Sequence, residues 1–203
     1  MLLSTKWDVD IIPVTPQLQA EEKYDTYILK NGYCGAFLVG FALHDEWMQQ
    51  LKNTTMPTVL FDNYIENNPN VAYVGTDSYE GIDMAVKHLH NLAIKDCLYQ
   101  WFSFSLVSDQ RQEAFENSMR NAGLEIYPEL MGHGYYIPET AQYYVSNFIA
   151  AGATAILCGS DTIAKGVISE CQLHGFNVPN DISVVGFDDV KFAAALTPPL
   201  TTV

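Results

Sequence analysis

Residues 178–189 read Val178-Pro179-Asn180-Asp181-Ile182-Ser183-Val184-Val185-Gly186-Phe187-Asp188-Asp189, and residues 196–203 read Leu196-Thr197-Pro198-Pro199-Leu200-Thr201-Thr202-Val203. The segment from Ser183 to Phe187 is short and largely apolar, and turn-forming residues flank it, so it predicts a buried β-strand. This strand ends at the acidic pair Asp188-Asp189. A short buried strand that delivers a polar residue at its carboxyl end is typical of the parallel sheets of α/β proteins.

The rest of the chain repeats this pattern, because short apolar runs alternate with longer stretches at helical spacing. The predicted strands are 35–39, 57–61, 71–74, 97–102, 154–158 and 183–187, with residues 1–3 as a fragment of another. The predicted helices are 17–30, 45–52, 78–92, 109–122, 139–150 and 162–174. All six full strands are apolar enough to be buried on both faces of a sheet. The sequence therefore predicts an α/β fold of parallel sheets flanked by helices.

Helix ends and one loop add detail to this prediction. Gly123 and Gly175 stand where a left-handed residue ends a helix, and Asp77 followed by Glu80 has the form of a capping box. The loop 63–70 is rich in Asn and Pro and joins two predicted strands without a helix. Parallel strands normally need a helical crossover, so we expect this loop to mark a passage between sheets and a boundary between lobes.

Composition limits the classes of function. The 203 residues are 48% hydrophobic and 17% charged, which is enough apolar content for a folded core. The net charge of −14 repels DNA phosphates and anionic membranes. We find neither a cationic leader nor an apolar run long enough to cross a bilayer, so we expect a cytoplasmic protein. The four cysteines lack a C-x-x-C pair, which favours reduced thiols over a disulfide framework.

Polar residues follow several of the predicted strands, at the edge where open α/β sheets bind ligands. Asp62, Ser160 and Asp188 each follow a strand, and Arg111 lies in the first turn of the next helix after Ser103. Carboxylates accept hydrogen bonds from hydroxyl groups, and the planar guanidinium group of Arg donates several hydrogen bonds in one plane. This combination suits a neutral polyol such as a sugar. The alternative is that each Asp or Ser caps the following helix, and we prefer that interpretation for Asp77 and Asp161.

Aromatic residues near this edge are further candidates. Tyr136, beside Tyr135 in a loop before a predicted helix, could stack on the apolar face of a sugar or could simply cover the edge of the core. Phe104, directly after Ser103, is a second candidate contact.

Several chemistries have no support in the residues. The five histidines include no pair at metal-ligand spacing, no phosphate-binding glycine loop is present, and Ser160 lacks the G-x-S-x-G context of a nucleophile. We therefore expect a binding protein with no cofactor and no catalytic residues, and not an enzyme.

The segment 178–203 strongly resembles the effector-binding core of the LacI/GalR family of bacterial transcription regulators. Further motifs fall in the order and spacing of that family: Tyr73-Val74-Gly75-Thr76-Asp77, His88-Leu89, Arg111 to Phe115, Ala122-Gly123-Leu124, and Ser160-Asp161 to Gly166. The resemblance implies a periplasmic-binding-protein-like fold of two α/β lobes, here 1–74 for the incomplete N-terminal lobe and 75–203 for the C-terminal lobe. An effector would bind in the cleft, and a helix-turn-helix domain preceding this chain would bind operator DNA.

Matched position by position, the resemblance implies that Arg111 and Asp188 bind the effector from opposite sides and that Asp62 contacts it from the first lobe. Tyr136 matches a variable loop contact, and Ser160 stands where many members have Asn. The resemblance also implies a homodimer that acts as a repressor. The alternative is the exported sugar-binding protein of an ABC-type transporter, which has the same lobes.

Overall fold

The computed structural model describes residues 7–92, 97–101, 106–133 and 137–203, and the chain forms two compact units, Met1–Val74 and Gly75–Val203. The strands are β1 (Ala36–Leu38), β2 (Thr58–Phe61), β3 (Val71–Val74), β4 (Cys97–Trp101), β5 (Met131–His133), β6 (Ala155–Cys158), β7 (Ser183–Gly186) and β8 (Thr201–Thr202). The helices are α1 (Pro16–Glu21), α2 (Tyr24–Lys30), α3 (Glu46–Gln50), α4 (Ser78–Asn91), α5 (Leu106–Asn121), α6 (Val145–Ala150) and α7 (Asp161–Leu173). Short 3-10 turns span Leu51–Asn53, Pro128–Leu130, Pro138–Tyr143 and Ala193–Ala195.

The first unit is a parallel sheet in the order β1-β2-β3. Because β2 and β3 are neighbours in this sheet, the expectation that loop 63–70 passes between sheets is wrong. The unit boundary likewise follows Val74 and not this loop. Side-chain amides replace a helix in holding the connection: Asn63 donates to the carbonyl of Phe41 (2.8 Å), and Asn68 donates to those of Leu51 and Thr54 (2.8 and 3.0 Å).

One face of this sheet packs on the core of the first unit, which includes Tyr24, Trp47 and Leu60. The other face carries exposed aromatic side chains, among them Phe37 (57% exposed) and Phe61 (40%). The expectation that all six predicted strands are buried on both faces is therefore wrong for the first unit, because side chains alternate between the two faces and the described residues pack on one of them.

The predicted helix 17–30 is divided into α1 and α2 by extended backbone at Glu22 and Lys23. Tertiary contacts cause the division. The carbonyl of Glu22 accepts a hydrogen bond from the indole of buried Trp47 (2.8 Å), and the backbone N–H of Tyr24 donates to the side chain of Gln50 (2.8 Å).

The second unit is a parallel sheet in the order β5-β4-β6-β7-β8, with helices on both faces. Alternate residues of β6 show this directly, since Ala155 and Leu157 pack with α4 and α5 while Ile156 and Cys158 pack with α6 and α7. All four are fully buried, as predicted for this strand. The sequence did not predict β5 and β8 as strands. The parallel neighbours β6 and β7 end at the same edge, which places Gly159-Ser160 beside Phe187-Asp188.

Within the described ranges, no helix has the length and apolar character to span a membrane, and no group of three or more His, Cys, Asp or Glu side chains could hold a metal ion. Cys34 is exposed and Cys171 is buried, and neither forms a disulfide.

Candidate functional site

Arg111 is the centre of the candidate site in the second unit. It lies in α5, and only 5% of its surface is exposed. One terminal nitrogen, Nη1, donates to the carbonyl oxygen of Gly159 at 2.5 Å, directly after β6. The guanidinium carbon lies 3.8 Å from the centre of the Phe187 ring, a cation–π contact in a desolvated setting. The carbonyl and the ring fix the plane of the guanidinium group.

Asp188 completes the pair. The other terminal nitrogen of Arg111, Nη2, lies 3.3 Å from Asp188 Oδ1. The two partners differ in exposure, because the side chain of Asp188 is 41% exposed and that of Arg111 only 6%. A buried, fixed cation therefore holds a carboxylate that solvent can reach. That carboxylate can accept hydrogen bonds from the hydroxyl groups of a ligand.

Arg111 also has an unsatisfied donor. Its Nε–H is buried and has no hydrogen-bond partner among the described residues. A buried donor without a partner costs about 1 to 3 kcal/mol. A ligand or water oxygen that reached this nitrogen would remove that cost.

The backbone at Asp188 is in an uncommon conformation. Asp188 has φ 104° and Asp189 has φ 44°, and both values lie in the region that favours glycine. Each such residue costs about 1 to 3 kcal/mol, so the surrounding structure must hold the turn in place. One contact that holds the turn is the hydrogen bond from the N–H of Asp188 to the carbonyl of Val203 at 2.9 Å.

Ser160 and Asp161 follow β6 and stand next to the Gly159 carbonyl. Ser160 is 3% exposed, and its hydroxyl caps α7 by accepting from the N–H of Ile163 at 3.3 Å. The interpretation of Asp161 as a helix cap is wrong, because its side chain bonds outside α7. Its carboxylate accepts from Val190 N–H (2.9 Å) and from the hydroxyl of Thr202 (2.6 Å). The neighbouring serine already occupies the cap position, which leaves the aspartate for these tertiary contacts.

Asp77 is a cap, as predicted. It precedes α4 and accepts from the N–H of Glu80 at 3.0 Å.

The other predicted site residues lie elsewhere. Asp62 belongs to the first unit, where it follows β2 with φ 53° and is half-buried, and its N–H donates to the carbonyl of Val74 at 2.9 Å. Tyr136 and Phe104 lie outside the described residues, as do Tyr135 and Ser103. The structure thus brings Arg111 and Asp188 into contact and places Ser160 beside them.

Two participants were missed by reasoning from the sequence. Phe187 was assigned only to a strand, although an aromatic residue just before the binding carboxylate is well placed to stack on a cation. The Gly159 carbonyl is a backbone group, and no side-chain pattern indicates it.

Comparisons with known proteins identify the family of the chain. Residues 86–203, more than half of the chain, match the family model described as a periplasmic binding protein-like domain. The HTH-type transcriptional repressor PurR of Pasteurella multocida is 31% identical over 153 residues, which cover 74% of this chain and 46% of PurR. The HTH-type transcriptional regulator MalR of Streptomyces coelicolor is 30% identical over 200 residues, which cover 93% of this chain and 58% of MalR. The chain belongs to the LacI/GalR family.

This LacI/GalR-family chain also matches solved structures. A putative LacI transcriptional regulator from Bacillus cereus superposes with a TM-score of 0.79 at 25% identity, over 87% of this chain and 64% of that one. A CelR–cellobiose complex superposes with a TM-score of 0.81 at 20% identity, over 93% of this chain and 58% of CelR. At this identity, the likeness supports the fold alone. The predicted family and the periplasmic-binding-protein-like fold are confirmed. The expectation that the chain is not an enzyme agrees with relatives that are regulators. The chain spans about half the length of the two curated relatives.

Proposed function

We propose that this LacI/GalR-family chain is the effector-sensing core of a cytoplasmic, dimeric transcription regulator that binds a small, neutral, sugar-like ligand at Arg111 and Asp188. The observation that carries the proposal is the fixed guanidinium of Arg111, which is stacked on Phe187 and holds the half-exposed carboxylate of Asp188. Asp62, Ser160, Tyr136 and Phe104 are further proposed contacts.

The charges of the pair support a neutral ligand. Arg111 and Asp188 together carry no net charge, and the chain as a whole carries −14, which repels anions. The pair offers both donors and acceptors, which a hydroxyl group can satisfy at once because it donates one hydrogen and accepts at its lone pairs. A sugar presents several such groups at fixed angles. A protein of the same fold, the transcriptional regulator CelR, is named in complex with the sugar cellobiose.

Regulation of DNA binding would follow by linkage. An effector that binds one conformation of the regulator better than another shifts the population toward it, and this changes the affinity for operator DNA by the same free energy. DNA contact is assigned to a helix-turn-helix domain outside this chain, since the acidic chain repels phosphates. PurR and MalR, both named as HTH-type regulators, support this assignment. They favour it over the alternative of a sugar-binding protein of a transporter.

Calorimetric titration tests the ligand assignment. The full chain is titrated with a panel of pentoses, hexoses, disaccharides and nucleosides, and the tightest ligand is then titrated into Asp188→Ala and Arg111→Ala. We expect both substitutions to abolish measurable binding. Asp181→Ala is the matched control, because its carboxylate bonds Asn177 at the end of β7 opposite to Asp188. Unchanged affinity in the Asp188→Ala protein would rule out this site.

A further inference from the structure

The buried carboxylate of Asp161 has no part in the proposed ligand contacts. Asp161 is 0% exposed although it is the first residue of α7. A Cβ atom added at Gly186 would lie 2.1 Å from Asp161 Oδ1, so the carboxylate is pressed against the backbone of β7 where only a glycine fits. A carboxylate held this deeply must have its hydrogen bonds satisfied by the protein.

The hydrogen bonds of this carboxylate go to residues that adjoin or contact the turn 188–189, which contains Asp188. One oxygen, Oδ2, accepts from the N–H of Val190 at 2.9 Å, and the other, Oδ1, accepts from the hydroxyl of Thr202 at 2.6 Å. The backbone N–H of Asp161 donates to the carbonyl of Phe187 at 2.8 Å. One buried residue therefore bonds to the chain on both sides of the turn 188–189.

Thr202 links the Asp161 carboxylate to the turn 188–189 through two hydrogen bonds. A carboxylate only accepts, so the single hydroxyl hydrogen of Thr202 goes to Asp161. The lone pairs of that hydroxyl are left to accept, and the N–H of Asp189 donates to it at 3.3 Å. The bonds thus form a chain from Asp189 through Thr202 to Asp161.

The turn needs such a hold because two consecutive residues, Asp188 and Asp189, have positive φ values of 104° and 44°. Left to itself, a segment of two non-glycine residues would relax toward negative φ. That relaxation would rotate the Cα–Cβ bond of Asp188 and move its carboxylate away from Arg111.

We propose that Asp161 is a positioning residue for ligand binding: through Thr202 and Val190 it locks the turn 188–189 in its left-handed conformation and so fixes the Asp188 carboxylate against Arg111. This inference rests on the proposed function of the Asp188–Arg111 pair. Asp161 itself touches no ligand.

The test substitutes Thr202, which is less buried than Asp161 and whose hydroxyl can be removed with little change of shape. Thr202→Val deletes both bonds of the hydroxyl, and Thr202→Ser keeps them. Asp189→Gly is added to Thr202→Val as a partial rescue, because glycine adopts positive φ without strain and only Asp188 then needs to be held in a positive-φ conformation.

Two quantities are measured on the full chain. The first is hydrogen exchange of the Asp188 and Val190 amides without ligand, with the amides of α7 as the reference. The second is the affinity for the tightest-binding sugar of the calorimetric panel. We expect Thr202→Val to speed hydrogen exchange of the Asp188 and Val190 amides about tenfold. The affinity for the sugar should fall by a similar factor, as for loss of a hydrogen bond to a charged group. Thr202→Ser should match the unaltered protein, and Asp189→Gly should restore part of the affinity, because it relieves the strain at one of the two positive-φ residues.

A purely structural role would give a different result. Asp181→Ala removes hydrogen bonds to Asn177 at the end of β7 opposite to Asp188, and it should lower stability but leave the affinity unchanged. Unchanged exchange of the Val190 and Asp188 amides in Thr202→Val overturns the inference whether or not a ligand is known. If no sugar of the panel binds the unaltered protein, the proposed function fails. The exchange result alone then decides whether Asp161, through Thr202 and Val190, fixes the turn 188–189.

Discussion

The stacking of Arg111 on Phe187 should give a measurable coupling energy. The guanidinium carbon lies 3.8 Å from the ring centre, well inside the roughly 6 Å limit for cation–π attraction. The side chain of Arg111 is 6% exposed and Phe187 is 2% exposed, so water screens the contact little. Contacts of this desolvated kind contribute up to about 2 kcal/mol. We therefore expect a coupling of about 1 to 2 kcal/mol between the two side chains.

A double-mutant cycle measures this coupling. Arg111→Gln removes the charge and keeps a planar polar end, and Phe187→Leu removes the ring and keeps an apolar side chain. The free energy of unfolding of each single variant and of the double variant is obtained from urea titration followed by circular dichroism. The double variant should be less destabilised than the sum of the singles by the coupling energy. Single effects that add within about 0.3 to 0.5 kcal/mol would show that the two residues do not interact, and the reasoning would be refuted.

Three further predictions concern separate parts of the molecule. Burial raises the pKa of Cys171 to about 11, so at pH 8 iodoacetamide should label exposed Cys34 and leave Cys171 unmodified, as peptide mass spectrometry will show. In Gly166→Ala the added Cβ would lie 2.1 Å from the backbone oxygen of Pro138, and we expect a loss of about 2 to 4 kcal/mol in thermal unfolding. Asp77→Ala should lower the free energy of unfolding by about 1 kcal/mol through the lost cap.

Much of the second unit could be predicted from the sequence, because buried parallel strands and capped helices have strong local patterns. β6, β7, α4 and α7 agree with their predicted ranges to within one residue at each end. β5 was missed because Met131-Gly132-His133 has no β-branched run. Packing favours its glycine, since a Cβ there would lie close to Phe148 and Tyr144, at 3.0 and 3.1 Å. Such a reason exists only in the folded chain.

The candidate site was predictable in part, because strong local patterns indicate the strands and helices that carry it. Asp188 and Arg111 could be placed at one sheet edge from the order of strands and helices. The role of Asp161 could not, because its partners Val190 and Thr202 are 29 and 41 residues away along the chain. The division of the predicted helix 17–30 has the same origin, since Trp47 and Gln50 bond to the backbone where it breaks. Local propensity cannot anticipate contacts at this separation.

The most direct test of the account is a crystal structure of the protein with the tightest-binding sugar of the panel. We predict that hydroxyl groups of the sugar lie within about 2.6 to 3.2 Å of both the Asp188 carboxylate and an Arg111 nitrogen, while the guanidinium stays stacked on Phe187. A sugar bound at another place, with no contact to Arg111 or Asp188, would contradict the account.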